Sequence, residues 1–273
     1  MSLTESPLLY LFHEVSNLPM EQSLLEGRFG FPVIEIEPHL PHHRHGVVKY
    51  DAVNVILSLN LSGPGKFERG TSDGLVTMIR GSACWPRESL INHPAIASSD
   101  GLEIFTDFHG HHFAFPAARN EQVKPSLPTA VEELRLTVED QASSVAFYRD
   151  TLGLKVLDEQ HNVTRFRAGR VALSVTQARV APDGRLPRKN TYLIVFYTNP
   201  IHEAFASLLR RGVPFKTPRP AESEIGYTAR FEDPSGHTFC LYEPSAESLT
   251  WGSGAKVLEL SAGAGASRAQ ALN

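Results

Sequence analysis

The stretch F231-E-D-P-S-G-H-T-F-C-L241 repeats, without a gap, a pattern already present in F105-T-D-F-H-G-H-H-F-A-F115. The two share Phe, Asp, Gly, His and Phe at the same places, and each reads as a glycine turn running into an alternating strand. Moving outward, G30-F-P-V-I-E-I-E37 is matched by G153-L-K-V-L-D-E-Q160, and Y50-D-A-V-N-V-I-L-S-L59 by F166-R-A-G-R-V-A-L-S-V175. Within the last pair Ala52/Ala168, Val55/Val171, Leu57/Leu173 and Ser58/Ser174 are identical. Three pairs in one order mark an internal repeat, and the drift in spacing between them is what loops of unequal length produce.

The second half carries the clearer local signals. E133-L-R-L-T-V138 alternates as a half-buried strand, and S143-S-V-A-F-Y-R-D-T-L152 has helical spacing closed by Gly153. Strands are expected at 154–159, 162–168 and 169–176, which makes this quarter β-α-β-β-β. The next quarter repeats the plan. A strand over T191-Y-L-I-V-F-Y197 is followed by a helix from Pro200 to Gly212, then by strands over V213-P-F-K216, Y227-T-A-R-F231 and H237-T-F-C-L-Y242. The first half follows the same order in eroded form, with a short helix around Met20–Glu26 and a proline-interrupted crossover over S82-A-C-W-P-R-E-S-L-I-N-H93.

Composition bounds the function. The chain has 273 residues, 41% hydrophobic content, a formal net charge of −4 and two cysteines, Cys84 and Cys240. Scattered lysine and arginine argue against a nucleic-acid or membrane-surface partner, and two cysteines are too few for a disulfide framework or a cysteine zinc site. With no apolar run long enough to span a membrane and no basic-then-apolar N-terminus, a cytoplasmic location is expected.

The strand and helix with A146-F-Y-R-D150, then Gly153-Leu154, R211-G-V-P-F215 and D233-P-S-G-H237, resemble the vicinal oxygen chelate superfamily of glyoxalases, bleomycin-resistance proteins and extradiol dioxygenases. The resemblance is specific over 131–244 and weaker but ordered over 7–117. It implies an α+β fold of tandem βαβββ modules, whose curved mixed sheets surround a cavity. The implied division is a first module pair at 7–117, a linker at 118–130, a second pair at 131–244 and a tail at 245–273. In the tail, W251-G-S-G-A-K-V-L-E-L260 could add a strand, and the last part has a composition favouring disorder.

Relatives that use a metal hold one divalent ion on three strand-borne ligands. The implied first position falls on Glu133 and Tyr10, the second on Leu193 or Thr191 and near Gly74, and the third on Cys240 and Ala114. The triad is therefore incomplete in both halves, and no cofactor is expected; a divalent Fe, Mn, Ni or Zn ion is the alternative. Strand parity assigns cavity-facing side chains. These are Glu133 and Arg135, the pair expected to do acid–base work, together with Tyr10, Phe12, Glu14, Asn54, Ser58, His112, Arg170, Ser174, Cys240 and Tyr242 as ligand contacts. By the same parity Asn60, Thr137 and Thr238 join them, and the repeated Asp-x-x-Gly turn is expected to bring a side chain to the cavity. A same-face ion pair is the plain alternative for Glu133 with Arg135, and a buried structural thiol the plain alternative for Cys240. His39, His42, His43 and His45 read as a solvated loop or lid, His109 and His111 as turn residues, and His13 as a satisfied core histidine.

The function this implies is binding, or metal-free transformation, of a small oxygenated or aromatic molecule. The alternative is a metal-dependent lyase, isomerase or extradiol-type dioxygenase. The expected partner is that small-molecule ligand or substrate, with homodimer formation left open. A dry apolar filling of both cavities would instead mark a structural protein.

Overall fold

The computed structural model describes residues 3, 6–37, 46–62, 74–80, 96–99, 102–116, 128–160, 162–177 and 191–270. The histidine loop at 39–45, the crossover at 82–93 and most of the expected linker lie outside these. Four modules follow one another. The first is β1 (Leu8–Val15), α1 (Leu18–Gly27), β2 (Val33–Glu37), β3 (Val47–Asp51) and β4 (Ile56–Leu61). The second supplies β5 (Leu75–Arg80), β6 (Ile96–Ser99), β7 (Leu102–Thr106) and β8 (His112–Pro116). The third is β9 (Ala130–Val138), α2 (Gln141–Ala146) continued by a π-turn to Thr151, β10 (Val156–Gln160), β11 (Val163–Ala168) and β12 (Val171–Gln177). The fourth is β13 (Tyr192–Tyr197), α3 (Ile201–Arg210), β14 (Ala221–Ser223), β15 (Gly226–Glu232) and β16 (Thr238–Pro244).

The helices start where the sequence offers a cap. Asn17 accepts the Met20 N–H at 3.1 Å, and Asp140 accepts the Ser143 N–H at 3.2 Å. The segment V213-P-F-K216 is not a strand; Phe215 makes one isolated bridge to Phe231.

Each sheet draws on both halves of the chain. Sheet A has the order β14-β15-β16-β13-β1-β4-β3-β2, and sheet B the order β10-β11-β12-β9-β5-β8-β7-β6. The first module thus joins the fourth through the antiparallel pair β1/β13, and the second joins the third through β5/β9. Halves 7–117 and 131–244 are repeats in sequence, but neither forms a sheet of its own. Strand parity specifies which side chains share a face and carries no information about which distant strand lies alongside.

One hydrophobic cluster joins a face of each sheet with the helices, from Leu11, Leu57 and Phe239 to Leu75, Leu134 and Phe166, with Leu25, Tyr148 and Leu208. The twin glycine turns tie the sheets together. His111, before β8 of sheet B, donates Nε2–H to the Glu14 carbonyl in β1 of sheet A at 3.0 Å. His237, before β16 of sheet A, donates Nε2–H to the Thr137 carbonyl in β9 of sheet B at 2.9 Å. Asp107 Oδ1 and Asp233 Oδ1 hold the two turns by accepting the His111 and His237 backbone N–H groups. The repeated histidine is therefore a reciprocal clamp between sheets.

After β16 the chain forms a 3₁₀ turn and then α4 (Gly254–Gln270), in place of the expected strand and disordered end. Alanine has the highest intrinsic helix propensity, and the segment from Ala255 to Ala269 is rich in it. Tertiary contacts supply the rest, since a helix of this length is marginal alone. Among the described residues no helix is long and apolar enough to cross a membrane.

Candidate functional site

The second face of each sheet, turned away from the shared core, is where parity placed the candidate residues. On sheet A this face is covered. Val257 and Leu260 of α4, each 3% exposed, form a cluster with Tyr10, Ile56, Val195, Cys240 and Tyr242. Phe12 packs against the cluster and stacks on Tyr10 with centroids 5.3 Å apart. Polar contacts at the entrance fix the helix start. Glu35 Oε2 accepts the Ser253 N–H at 2.6 Å, and Ser253 Oγ lies 3.4 Å from Tyr10 Oη. Lys49 pairs with Glu35 and Glu37, and Lys256 with Asp51. Gly252 is needed for this approach, because a Cβ there would fall 2.7 Å from the Ile34 carbonyl oxygen. Burial pushes the Cys240 thiol up to about 11 and Tyr242 up to about 12. Of the remaining predicted contacts on this sheet, Ser58 Oγ lies 3.4 Å from Asn60 Oδ1, and Glu14 accepts from Ser62 Oγ at 3.0 Å. Tyr10, Phe12, Glu14, Ser58, Cys240 and Tyr242 thus share a face, and α4 closes the part of it that holds Tyr10, Phe12, Cys240 and Tyr242.

On sheet B the second face holds Glu133, Arg135, Ser174, Arg170 and His112. Glu133 is 6% exposed and lies opposite Met78 on β5 and Ala172 on β12. Its Oε1 accepts from Ser174 Oγ at 2.7 Å and from Arg135 at 3.0 Å, and its Oε2 meets Arg165 Nε at 2.9 Å. Next to it a cavity of about 450 Å³ is bordered by Arg80, Glu132, Arg165, Arg167, Arg170 and Ala172. Asn54 reaches this cavity from the β3–β4 turn of the other sheet, anchored by a 3.0 Å bond to the Val131 carbonyl. That turn holds Val53 at φ 63°, with its N–H on Asp51 Oδ1 at 2.8 Å. His112 sits two strands from Arg135, its Nδ1 2.7 Å from Thr106 Oγ1.

The candidates therefore split between two surfaces. Glu133 and Cys240, both assigned to one cavity of the second half, lie on different sheets, as do Tyr10 and His112 of the first half. Cavity residues absent from the sequence reading include Arg80, Glu132, Leu157 and, on β11, Arg165 and Arg167; the same parity rule, applied to that strand, finds the two arginines.

Arginine dominates the cavity electrostatics. Arg80 pairs with Glu132, Arg165 with Glu133 and Asp158, and Arg170 with Glu259 of α4. Arg167 is exposed at the rim and has no ion pair among the described residues. A divalent ion does not fit at Glu133. Both its oxygens face guanidinium groups, and its neighbours in register are a methionine and an alanine, so the donor set lacks the further imidazole or carboxylate such an ion needs.

Comparison with known proteins agrees with the fold. The fold is that of glyoxalase I from Zea mays, which is 15% identical with a TM-score of 0.66 over 86% of this chain and 92% of that one. A candidate dioxygenase from Bacillus subtilis subsp. subtilis str. 168 is 13% identical, with a TM-score of 0.61 over 86% of this chain and 84% of that one. No curated protein matches the sequence. Residues 130–241 match the family model of the Glyoxalase/Bleomycin resistance protein/Dioxygenase superfamily.

Proposed function

We propose that the chain binds a small oxygenated organic molecule bearing a negative charge, aromatic or aliphatic, in the cavity on the second face of sheet B. The observation that carries this is the contrast between the two sheets: one face is filled by α4, and the other retains a polar cavity with an arginine at its rim. Arg167 offers the planar guanidinium fork that suits carboxylate or enolate oxygens, and Arg170, held by Glu259, adds positive charge beside it. Asn54 supplies a neutral hydrogen-bonding edge, and the aliphatic stems with Ala172 and Leu157 supply apolar surface.

Binding is favoured over acid–base turnover by the state of Glu133. A general base needs an accessible lone pair directed at the substrate. The Glu133 carboxylate instead faces Ser174, Arg135 and Arg165, so it fixes Arg165 at the cavity edge. The residues named for catalysis, Glu133 and Arg135, are partners of one another, and metal-free sequestration is the function they serve.

The test is a thermal-shift and calorimetric comparison of small carboxylic acids, phenolic acids and their neutral amides. At a hundredfold excess over Kd, a binder stabilises by about 2.7 kcal/mol, which corresponds to a melting shift of roughly 5–10 °C for a chain of this size. The acids are expected to bind more tightly than the amides, with the difference lost in Arg167→Ala. Equal binding of acids and amides, or no effect of Arg167→Ala and of a cavity-filling Ala172→Trp, would overturn the proposal.

A further inference from the structure

The twin turns differ in what packs against their aspartates. In the fourth module the turn is electrostatically quiet: Asp233 Oδ2 accepts the Tyr148 hydroxyl at 2.7 Å, and Ser144 Oγ of α2 lies 3.5 Å from Ser235 Oγ. Counting four residues on from the caps Asn17 and Asp140, Ser144 corresponds to Glu21. Counting two on from the turn aspartates, Ser235 corresponds to His109. A neutral serine pair has thus been exchanged for a carboxylate and an imidazole, and the tyrosine position is taken by Leu25.

The exchange leaves a buried, unbalanced group. Glu21, Asp107 and His109 are 1%, 5% and 3% exposed, and one donor atom from each lies within 4.8 Å of the other two. Glu21 Oε1 and Asp107 Oδ2 receive no hydrogen bond from any other residue, and the two carboxyls interact with one another, so that one proton can lie between them. Nδ1 of His109 faces Glu21 Oε2 at 3.2 Å, while Nε2 accepts the Asn17 N–H at 3.3 Å. Two carboxylates this deep cannot both remain charged without a counter-charge. Burial, then the Glu21 charge, push the Asp107 carboxyl up to about 8. Nearby His13 does not provide a counter-charge: neither of its ring nitrogens has a partner, contrary to the expected satisfied core histidine, and it stacks on His111 at 4.1 Å.

We propose that Glu21, Asp107 and His109 form a buried site for a divalent transition-metal ion, separate from both sheet faces. Two carboxylates and one imidazole are hard-to-intermediate donors, suited to Zn²⁺ or Mn²⁺. Loading displaces the proton held by the carboxyl pair and moves the imidazole proton from Nδ1 to Nε2, at the expense of the long Asn17 contact. The ion then joins α1 to the β7–β8 turn as a structural staple, so its binding free energy adds to folding stability.

The experiment uses untagged full-length protein in which His39, His42, His43 and His45 are alanine, which removes the competing loop. It is unfolded in chelator, refolded with Zn²⁺ or Mn²⁺, dialysed, and assayed by elemental mass spectrometry and melting temperature. The expected result is one equivalent per chain and a melting temperature that falls on chelation. Glu21→Gln and the double variant Glu21→Ser/His109→Ser, which installs the serine pair of the other turn, should hold less than a tenth of an equivalent and melt independently of the ion. Glu133→Ala should load like the parent. Failure of the parent to retain stoichiometric Zn²⁺ or Mn²⁺ overturns the proposal, as does an ion that persists in the serine-pair variant. If Glu21→Gln does not fold, the serine-pair variant and the parent decide the matter alone.

Discussion

Replacing Leu260 with aspartate should open the closed face of sheet A, and Cys240 reports the opening. Val257 and Leu260 are each 3% exposed in the cluster that contains the thiol. Full burial of such a side chain is worth about 1.5–3 kcal/mol, so the two together hold α4 with at most ~6 kcal/mol before ordering costs. Leu260→Asp removes up to half of this and adds the cost of burying a carboxylate, which exceeds what remains. The thiol of Cys240, pushed by burial up to about 11, is ionised to about one part in a thousand at pH 8. An ordinary thiol near 8.5 is ionised to about a quarter at that pH, so ionisation alone accelerates labelling on the order of 200-fold once α4 leaves. The assay is disulfide exchange with an aromatic disulfide in a Cys84→Ser background, with near-UV circular dichroism as the check on retained folding. In the parent, the rate should rise about tenfold per pH unit from pH 7 to 10, because the reacting thiolate grows as pH approaches the raised pKa. Folded Leu260→Asp protein that labels at the parent rate would refute the account of α4 as the cover.

Other positions give sharper tests of individual contacts. Tyr148→Phe removes the hydroxyl that donates to Asp233 Oδ2 and should destabilise by about 1–3 kcal/mol, read by chemical denaturation; an unchanged midpoint would show that the buried oxygen finds another donor. Glu133→Ala leaves Arg135 and Arg165 without their shared carboxylate. Because these side chains are 23% and 39% exposed, water offsets part of the loss, and ~1–2 kcal/mol is expected with weaker acid binding as the arginines lose their orientation. Val53→Gly relieves a β-branched residue held at φ 63° and should raise stability by roughly 0.5–1 kcal/mol, the left-handed strain exceeding the added chain entropy; a fall in melting temperature would deny the strain.

How far the sequence could be read depended on the range of the interaction. The βαβββ order of the first, third and fourth modules followed from glycine turns, caps and alternation, all of them local, and the strands at 156–177 lie within a few residues of expectation. Parity correctly separated Phe239 and Leu241 from Cys240 and Tyr242. What parity could not supply was the neighbour: β1 lies beside β13, and β9 beside β5, so residues correctly oriented were assigned to the wrong common cavity. The tail failed for a different reason. Its apolar spacing was read as a strand and its alanine–glycine end as disorder, whereas alanine propensity and the docking of Val257 and Leu260 make a helix. The turn position of His109 and His111 is local, held by Asp107, whereas their burial depends on α1 and β1, which are distant in sequence.

The most direct test of the central claim is a crystal structure of the protein soaked with the tightest-binding acid from the thermal screen. The account predicts ligand density on sheet B against Arg167, Arg170 and Ala172, with α4 still seated on Tyr10 and Cys240. Density on sheet A with α4 displaced, and an empty sheet B cavity, would contradict it.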